Sequence, residues 1–298
     1  MKQIGIIIML STLFTFAHTF LAASQVDGSS NGQPSAAKID PQAVAELDRA
    51  SGLLAEDGKE REALRAALPL VEIFESGEDY DHLVDCLFLI GEAYYHLGEW
   101  ANAEQFMQLA ADMGYRYFAD EMSSYPLKVV GESQFEQGKT DEALATFLER
   151  VQKVRASGET NELAGALFDA AGLLINLDRM EEALPKLAEA AEANRSEGAA
   201  LNAPGSTATA ADKDANRIDE AEIAYHTAIA HFRLDQFDEA YTSLKEAYAA
   251  FNSLCAAAKD EVNDRLVAVL DDLVLVCEKL GLDSEQALYQ AERDRLNA

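Results

Sequence analysis

Positive charge is scarce in this 298-residue chain, which carries 24 lysines and arginines against 53 aspartates and glutamates and a formal net charge of -29. So acidic a surface repels nucleic acid and anionic lipid and excludes both as partners. It fits basic partners, or a chain whose acidity serves solubility alone. Cysteine is also rare. Three cysteines leave at least one unpaired, so no disulfide framework is needed. Cys86 and Cys277 fall on apolar helix faces, where a thiol behaves as a small core residue, and Cys255 lies near the turn before the last helix pair.

Recognisable chemistry is missing too. The sequence contains no glycine-rich phosphate loop, nucleophile elbow or zinc-spaced Cys/His set. Five histidines are spread along it, and His226 and His231 stand about 140° apart around a helix, a poor geometry for one metal. Asp79, Asp81, His82 and Asp85 form a denser group that reads as a solvated, helix-starting acidic turn. Carboxylate pairs carry no information about acid–base work in such an acidic chain. The sequence therefore predicts a non-catalytic protein with no cofactor and no metal.

What is present is a period. Ala63, Ala103, Ala143 and Ala183 recur forty residues apart, and each follows a small residue twelve positions upstream: Ser51, Gly91, Gly131 and Ala171. The pairing returns with altered spacing at Ala228 and Ala240, and faintly at Leu275 and Ala287. Fixed periods in this range mark solenoids, in which a unit buries its apolar face only against the next unit.

The clearest copy places Leu87, Ile90, Gly91 and Tyr94 at i, i+3, i+4 and i+7, one apolar helical stripe. Gly98 stops that helix, and Ala103, Met107 and Ala110 form the stripe of a second. Small residues at 91 and 103 let the two backbones approach closely. This copy, with Ile90-Gly91, Tyr94-Tyr95, Gly98-Glu99-Trp100 and Ala103, resembles the tetratricopeptide repeat. Further copies carry Leu127, Val130, Gly131, Phe135, Gly138, Ala143 and Phe147; Leu167, Ala170, Ala171, Leu174, Asp178, Ala183, Leu187 and Ala190; and Ala224, Ala228, His231, Phe232, Phe237, Ala240, Leu244 and Ala247. Residues 43–74 look like a degenerate first copy and 265–296 like a closing helix pair. The period of 40 exceeds the family's usual 34, and its proline near the end of the unit is absent from the clearest copies. Longer helices account for the difference.

The resemblance implies an all-α, right-handed superhelical solenoid of about six antiparallel helix pairs. The domain plan places it over 40–298, interrupted by a loop at 198–217 that carries Pro204-Gly205. Residues 1–24 read as a signal peptide: a charged start at Lys2, an apolar core and a small-residue exit at Ala22-Ala23-Ser24. An uncleaved anchor is the competing reading. Cleavage removes only Lys2's charge and takes the net charge to about -30. Residues 25–39, rich in Ser, Gly and Asn, form a flexible linker. The expected location is outside the cytoplasm, periplasmic or secreted, with no membrane contact beyond the leader.

The resemblance also implies that the first helix of each unit lines a concave groove. Mapped onto this sequence, that face carries Phe88, Glu92, Tyr95 and His96; Tyr125, Lys128, Glu132 and Phe135; Phe168; and Tyr225, Ile229, Phe232 and Arg233. Aromatic rings offer contact area with few rotors to freeze, and a carboxylate border selects partners carrying Lys or Arg. The sequence thus points to an exported scaffold that binds a protein or peptide, a basic one fitting best. The alternatives are a homo-oligomer built through Val267, Leu270 and Val274, and a ligand-sensing or catalytic helical repeat domain.

Overall fold

A computed structural model describes residues 39–118, 122–158, 160–254, 258 and 262–297. The expected leader falls outside these residues, as do Cys255 and all of the linker but Ile39. Residues 39–298 form one compact unit, and its described residues are helical without a strand. The helices are α1 (Pro41–Leu54), α2 (Glu60–Ala67), α3 (Leu70–Ser76), α4 (Tyr80–His96), α5 (Trp100–Tyr117), α6 (Tyr125–Glu136), α7 (Thr140–Ser157), α8 (Thr160–Asn176), α9 (Met180–Leu201), α10 (Ala210–Arg233), α11 (Phe237–Asn252), α12 (Asn263–Leu280) and α13 (Asp283–Leu296). From α4 onward each packs on the next in chain order, and α4·α6 and α8·α10 add contacts between first helices. That pattern is the nearest-neighbour stacking of a solenoid.

The forty-residue period has a direct physical origin. Ala63, Ala103, Ala143 and Ala183 are all 0% exposed. Facing them are Gly91 and Gly131, where a Cβ would stand 2.7 Å from Met107 and from Phe147 respectively. Copy one departs by a residue: Ala50 is its buried small residue, while Ser51 is exposed. Its second helix is also broken, into α2 and α3, at Leu68-Pro69. The faint pairing near the C-terminus does not hold, since Ala287 is exposed and Tyr289 takes the buried place on α13.

Every later pair turns the same way. Glu99, Lys139, Arg179, Gln236 and Leu282 donate their backbone N–H to the carbonyls of Tyr94, Gln134, Leu174, His231 and Cys277, each at 2.9 Å. This is the six-to-one bond of a Schellman cap, and it needs a left-handed residue just before the donor. Gly98, Gly138 and Gly281 supply it at φ +70°, +76° and +68°, but Asp178 and Asp235 must adopt +60° and +58°. A side chain in that conformation costs roughly 0.5–1 kcal/mol more than glycine. Asp178→Gly is therefore expected to stabilise the protein by about 0.5–1 kcal/mol, seen as a higher urea midpoint at unchanged m-value.

The interruption is shorter than 198–217. Ala199, Ala200 and Leu201 are good helix formers and carry α9 through them, so the loop spans only 202–209. Thr209 then starts α10 with a capping box: Asp212 N–H reaches Thr209 Oγ1 at 3.2 Å and Thr209 N–H reaches Asp212 Oδ2 at 2.7 Å. Across the two long helices the Asn194 side-chain amide donates to the Asn216 carbonyl, and that of Asn216 donates to the Asn194 carbonyl and Oδ1. Cys86 and Cys277 are buried free thiols, the former donating to the Ala67 carbonyl at 3.4 Å. Leu270 is 0% exposed inside the chain's own core, beneath α11 and α13, and so offers no surface for self-association. Val267 and Val274 are half-buried.

Candidate functional site

The expected site residues all lie on the first helices α4, α6, α8 and α10, and α4 touches α6 and α8 touches α10. Within a helix they recur three or four residues apart, as in Tyr125, Lys128, Glu132 and Phe135 or Tyr225, Ile229 and Phe232. Between helices they meet directly. Phe88 of α4 tilts against Tyr125 of α6 at 5.7 Å between ring centroids, and Phe168 of α8 meets His226 of α10 edge-on at 4.6 Å.

The aromatics do double duty. Phe135, Phe168 and Ile229 pack against the core around Leu167 and Leu174, while Tyr225 and Phe232 pack against the one around Leu244 and Phe251. Each keeps part of its surface open, as do Phe88, Tyr95 and Tyr125. His96 is exposed at the end of α4. Arg233 is exposed as well, yet its Nη1 donates at 2.8 Å to the Ile175 carbonyl near the end of α8, which also accepts the Asp178 N–H at 3.1 Å.

The polar part of the face is a set of tyrosine–carboxylate pairs that bridge neighbouring first helices. Tyr125 of α6 faces Glu92 of α4, and Tyr95 of α4 faces Glu132 of α6. Tyr225 of α10 donates to Asp272 of α12 at 2.9 Å. Burial pushes Glu92 up to about 7, partly offset by the Tyr125 hydroxyl. Glu132 and Asp272 are raised by the same cause, and burial with the facing carboxylates holds all three tyrosines above the ordinary phenol range. Among the described residues no cation stands within 4 Å of Glu92 or Asp272. Lys128 lies 3.8 Å from Glu132, and Arg265 of α12 lies 3.0 Å from Glu222 of α10. Asp219 faces Glu197, Glu222 and Asp169, with Lys128 as the nearby positive charge.

Sequence reasoning missed Arg150, because it sits on a second helix at a position that the stripe marks as core. Arg150 is 6% exposed, and its guanidinium pairs with Asp169 of α8 and donates through Nε to Ser124 Oγ at 3.0 Å. Ser124 N–H in turn donates to Glu162 of α8 at 3.0 Å. This buried network ties the start of α6 to α7 and α8 directly beneath the face. His226 was also passed over as a site member. It is buried, its Nδ1–H donates to the Glu222 carbonyl at 2.9 Å, and burial lowers it to about 4, so it stays neutral at physiological pH. The acidic turn at 79–85 is engaged internally: His82 Nδ1 lies 2.9 Å from both carboxylate oxygens of Asp79, and its ring stacks on Phe74 at 5.5 Å. Among the described residues no group of three His, Cys, Asp or Glu is placed to hold a metal, and no helix is long and apolar enough to cross a membrane.

Stacked helix pairs with this turn and this face define an all-α solenoid of the tetratricopeptide type. The tetratricopeptide repeat family model matches residues 85–112, the copy formed by α4 and most of α5. Among solved structures the chain is similar to BtubC (BKLC) from P. vanneervenii, at 14% identity and a TM-score of 0.61, covering 87% of this chain and 92% of that one. It is similar also to RapI in its apo form, at 13% identity and a TM-score of 0.59, covering 86% of this chain and 76% of that one. Aspartyl phosphate phosphatase F from Bacillus subtilis matches at 13% identity and a TM-score of 0.54, covering 86% of this chain and 60% of that one. At these identities the likeness is one of fold. No curated protein matches the chain by sequence.

Proposed function

We propose that this chain is an exported, non-catalytic scaffold that holds a basic segment of a partner protein on its first-helix face. One observation carries the reading. Successive first helices present half-buried aromatics interleaved with carboxylates, and Asp272 is answered by the Tyr225 hydroxyl rather than by a cation. Such a surface supplies apolar contact area and leaves negative charge to be matched by Lys or Arg. A tetratricopeptide-type fold supports the reading, since such solenoids serve widely as protein-interaction scaffolds. Export rests on the character of residues 1–24 alone.

The test is affinity capture from the envelope fraction of the producing cells. Wild type is compared with a Glu92→Gln, Glu132→Gln, Asp272→Asn variant matched in circular dichroism. Near-isosteric amides keep the packing and remove only the charge. A partner retained by wild type and lost by the variant is expected. Identical captures with both would place the contact elsewhere on the chain.

A further inference from the structure

The seam between α9 and α10 changes character toward the loop at 202–209. On α9 the buried stripe runs Ala183, Leu187, Ala190 and then Asn194, where apolar packing ends. Beyond it these helices, the two longest among the described residues, enclose a cleft of about 340 Å³. That volume is at the small end of ligand clefts. Two helical stripes build the walls. Arg195, Gly198, Ala199 and Asn202 recur at i, i+3, i+4 and i+7 on α9, and Lys213, Asn216, Arg217 and Glu220 repeat that spacing on α10. The spacing that zips apolar side chains elsewhere in the stack here gathers polar ones. The floor is fixed: Asn194 is 2% exposed, and its hydrogen bonds with Asn216 hold both side chains in place. Gly198 makes room for Asn216, since a Cβ at 198 would stand 2.5 Å from Asn216 Oδ1.

The charge of the cleft runs against that of the chain. Where acidic residues outnumber basic ones 53 to 24, three cations, Arg195, Lys213 and Arg217, line one small space. Asp214 holds Arg217 at 3.0 Å, but among the described residues no carboxylate stands within 4 Å of Arg195 or Lys213. Arg195 donates through Nε to the Ala191 carbonyl at 3.1 Å, which leaves its two terminal nitrogens for another acceptor. Lys213 stands in the first turn of α10, where the helix dipole favours negative charge over positive. Glu220 on the rim and Asp214 behind Arg217 do not cancel three cations. Like charges gathered in one cleft repel, and an anion between them turns the repulsion into attraction.

We infer that the α9–α10 cleft is a second binding site, separate from the first-helix face, for a small multivalent oxyanion carrying carboxylate or phosphate groups. Guanidinium planes match the oxygens of either group in pairs, while Lys213 supplies a point charge. The Asn202 amide spends one hydrogen on the Gly198 carbonyl at 2.8 Å and has the other to donate. So polar a lining offers nothing to an apolar ligand. Arg195 belongs to α9, whereas Lys213 and Arg217 belong to α10. A bound anion therefore ties the second helix of one unit to the first helix of the next and stiffens that joint of the stack.

The experiment is isothermal titration of the full chain with citrate and, separately, with pyrophosphate, at an ionic strength held constant with sodium chloride. Expected is saturable one-to-one binding of at least one of them, with a Kd below about 1 mM. The melting temperature should rise with the concentration of the anion that binds. Binding of citrate alone marks a carboxylate ligand, of pyrophosphate alone a phosphate ligand, and of both a site that reads oxyanion charge. Arg195→Gln with Lys213→Gln should weaken the binding tenfold or more. Arg65→Gln with Lys279→Gln removes the same charge at exposed positions of α2 and α12 and should bind as wild type does. Without anion, the cleft variant should melt no lower than this control, since neither of its cations has a carboxylate to lose. A lower melt would mark the two cations as structural and overturn the site. So would the absence of saturable binding of both anions up to about 10 mM, or equal weakening by the two variants.

Discussion

Gly131→Leu is expected to lower the stability of the solenoid by about 3 kcal/mol or more. Gly131 sits in the middle of α6, against α7. Even a Cβ there would stand 2.7 Å from Phe147 Cε1, 2.9 Å from Cζ and 3.0 Å from Cδ1. Phe147 is fully buried in the core, so it can swing aside only by displacing its neighbours. The added side chain must separate the two helices, and separation opens the seam that Ala143 fills. Gly131→Ala should cost less, because about 1 kcal/mol of helix propensity offsets part of the clash. Pairing Gly131→Ala with Phe147→Leu should recover much of the loss. Urea denaturation followed by circular dichroism measures all three. In a one-dimensional stack a weakened central unit also uncouples its flanks, so the leucine variant should melt in two steps where wild type melts in one. A single unshifted transition would show that the seam is looser than the packing implies.

Arg150→Ala is expected to cost about 3 kcal/mol. Removing the guanidinium leaves Asp169 with its charge largely shielded from water and takes from Ser124 the donor that its hydroxyl accepts from. Breaking a buried pair from one side typically costs 3–5 kcal/mol. The 18% exposure of the Asp169 side chain places this case at the low end. Adding Asp169→Asn removes the stranded charge and should restore part of the loss, which separates charge burial from lost packing. Hydrogen exchange should locate the damage: α6, α7 and α8 lose protection together, while α12 and α13 keep theirs. Uniform loss along the chain would contradict a local network.

Both predictions turn on positions that the sequence reveals unequally. Gly131 is legible because its spacing to Ala143 repeats that of Gly91 to Ala103, and a period exposes any residue chosen for size. Helix pairs, turns and the buried alanines follow from the same regularity. Arg150 is illegible because an arginine at an apolar stripe position looks like a tolerated exception. Its importance comes from Ser124 and Asp169, 26 and 19 residues away, brought to it by stacking. The capping box at Thr209 and Asp212 was readable in principle, but the adjacent Pro204-Gly205 suggested a longer break than the chain makes. The placement of Phe88, Tyr125, Phe168 and Tyr225 on first helices follows from the mapped repeat. The tyrosine–carboxylate pairs do not, since Tyr125 meets Glu92 and Tyr225 meets Asp272 only through the contacts between successive units.

The repeated Schellman turn has a consequence for how such a chain grows and shrinks. Gly98 and Gly138 occupy the same backbone state, forty residues apart, and each ends a first helix just before the second one begins. Cutting after one and joining after the other removes or duplicates a whole unit without asking any residue to change conformation at the join. Unequal crossing-over at these two codons would thus yield chains one unit shorter or longer in a single event, with both sides of the junction already compatible. The length of the first-helix face is then a quantity that recombination can adjust in steps, independently of the side chains along it.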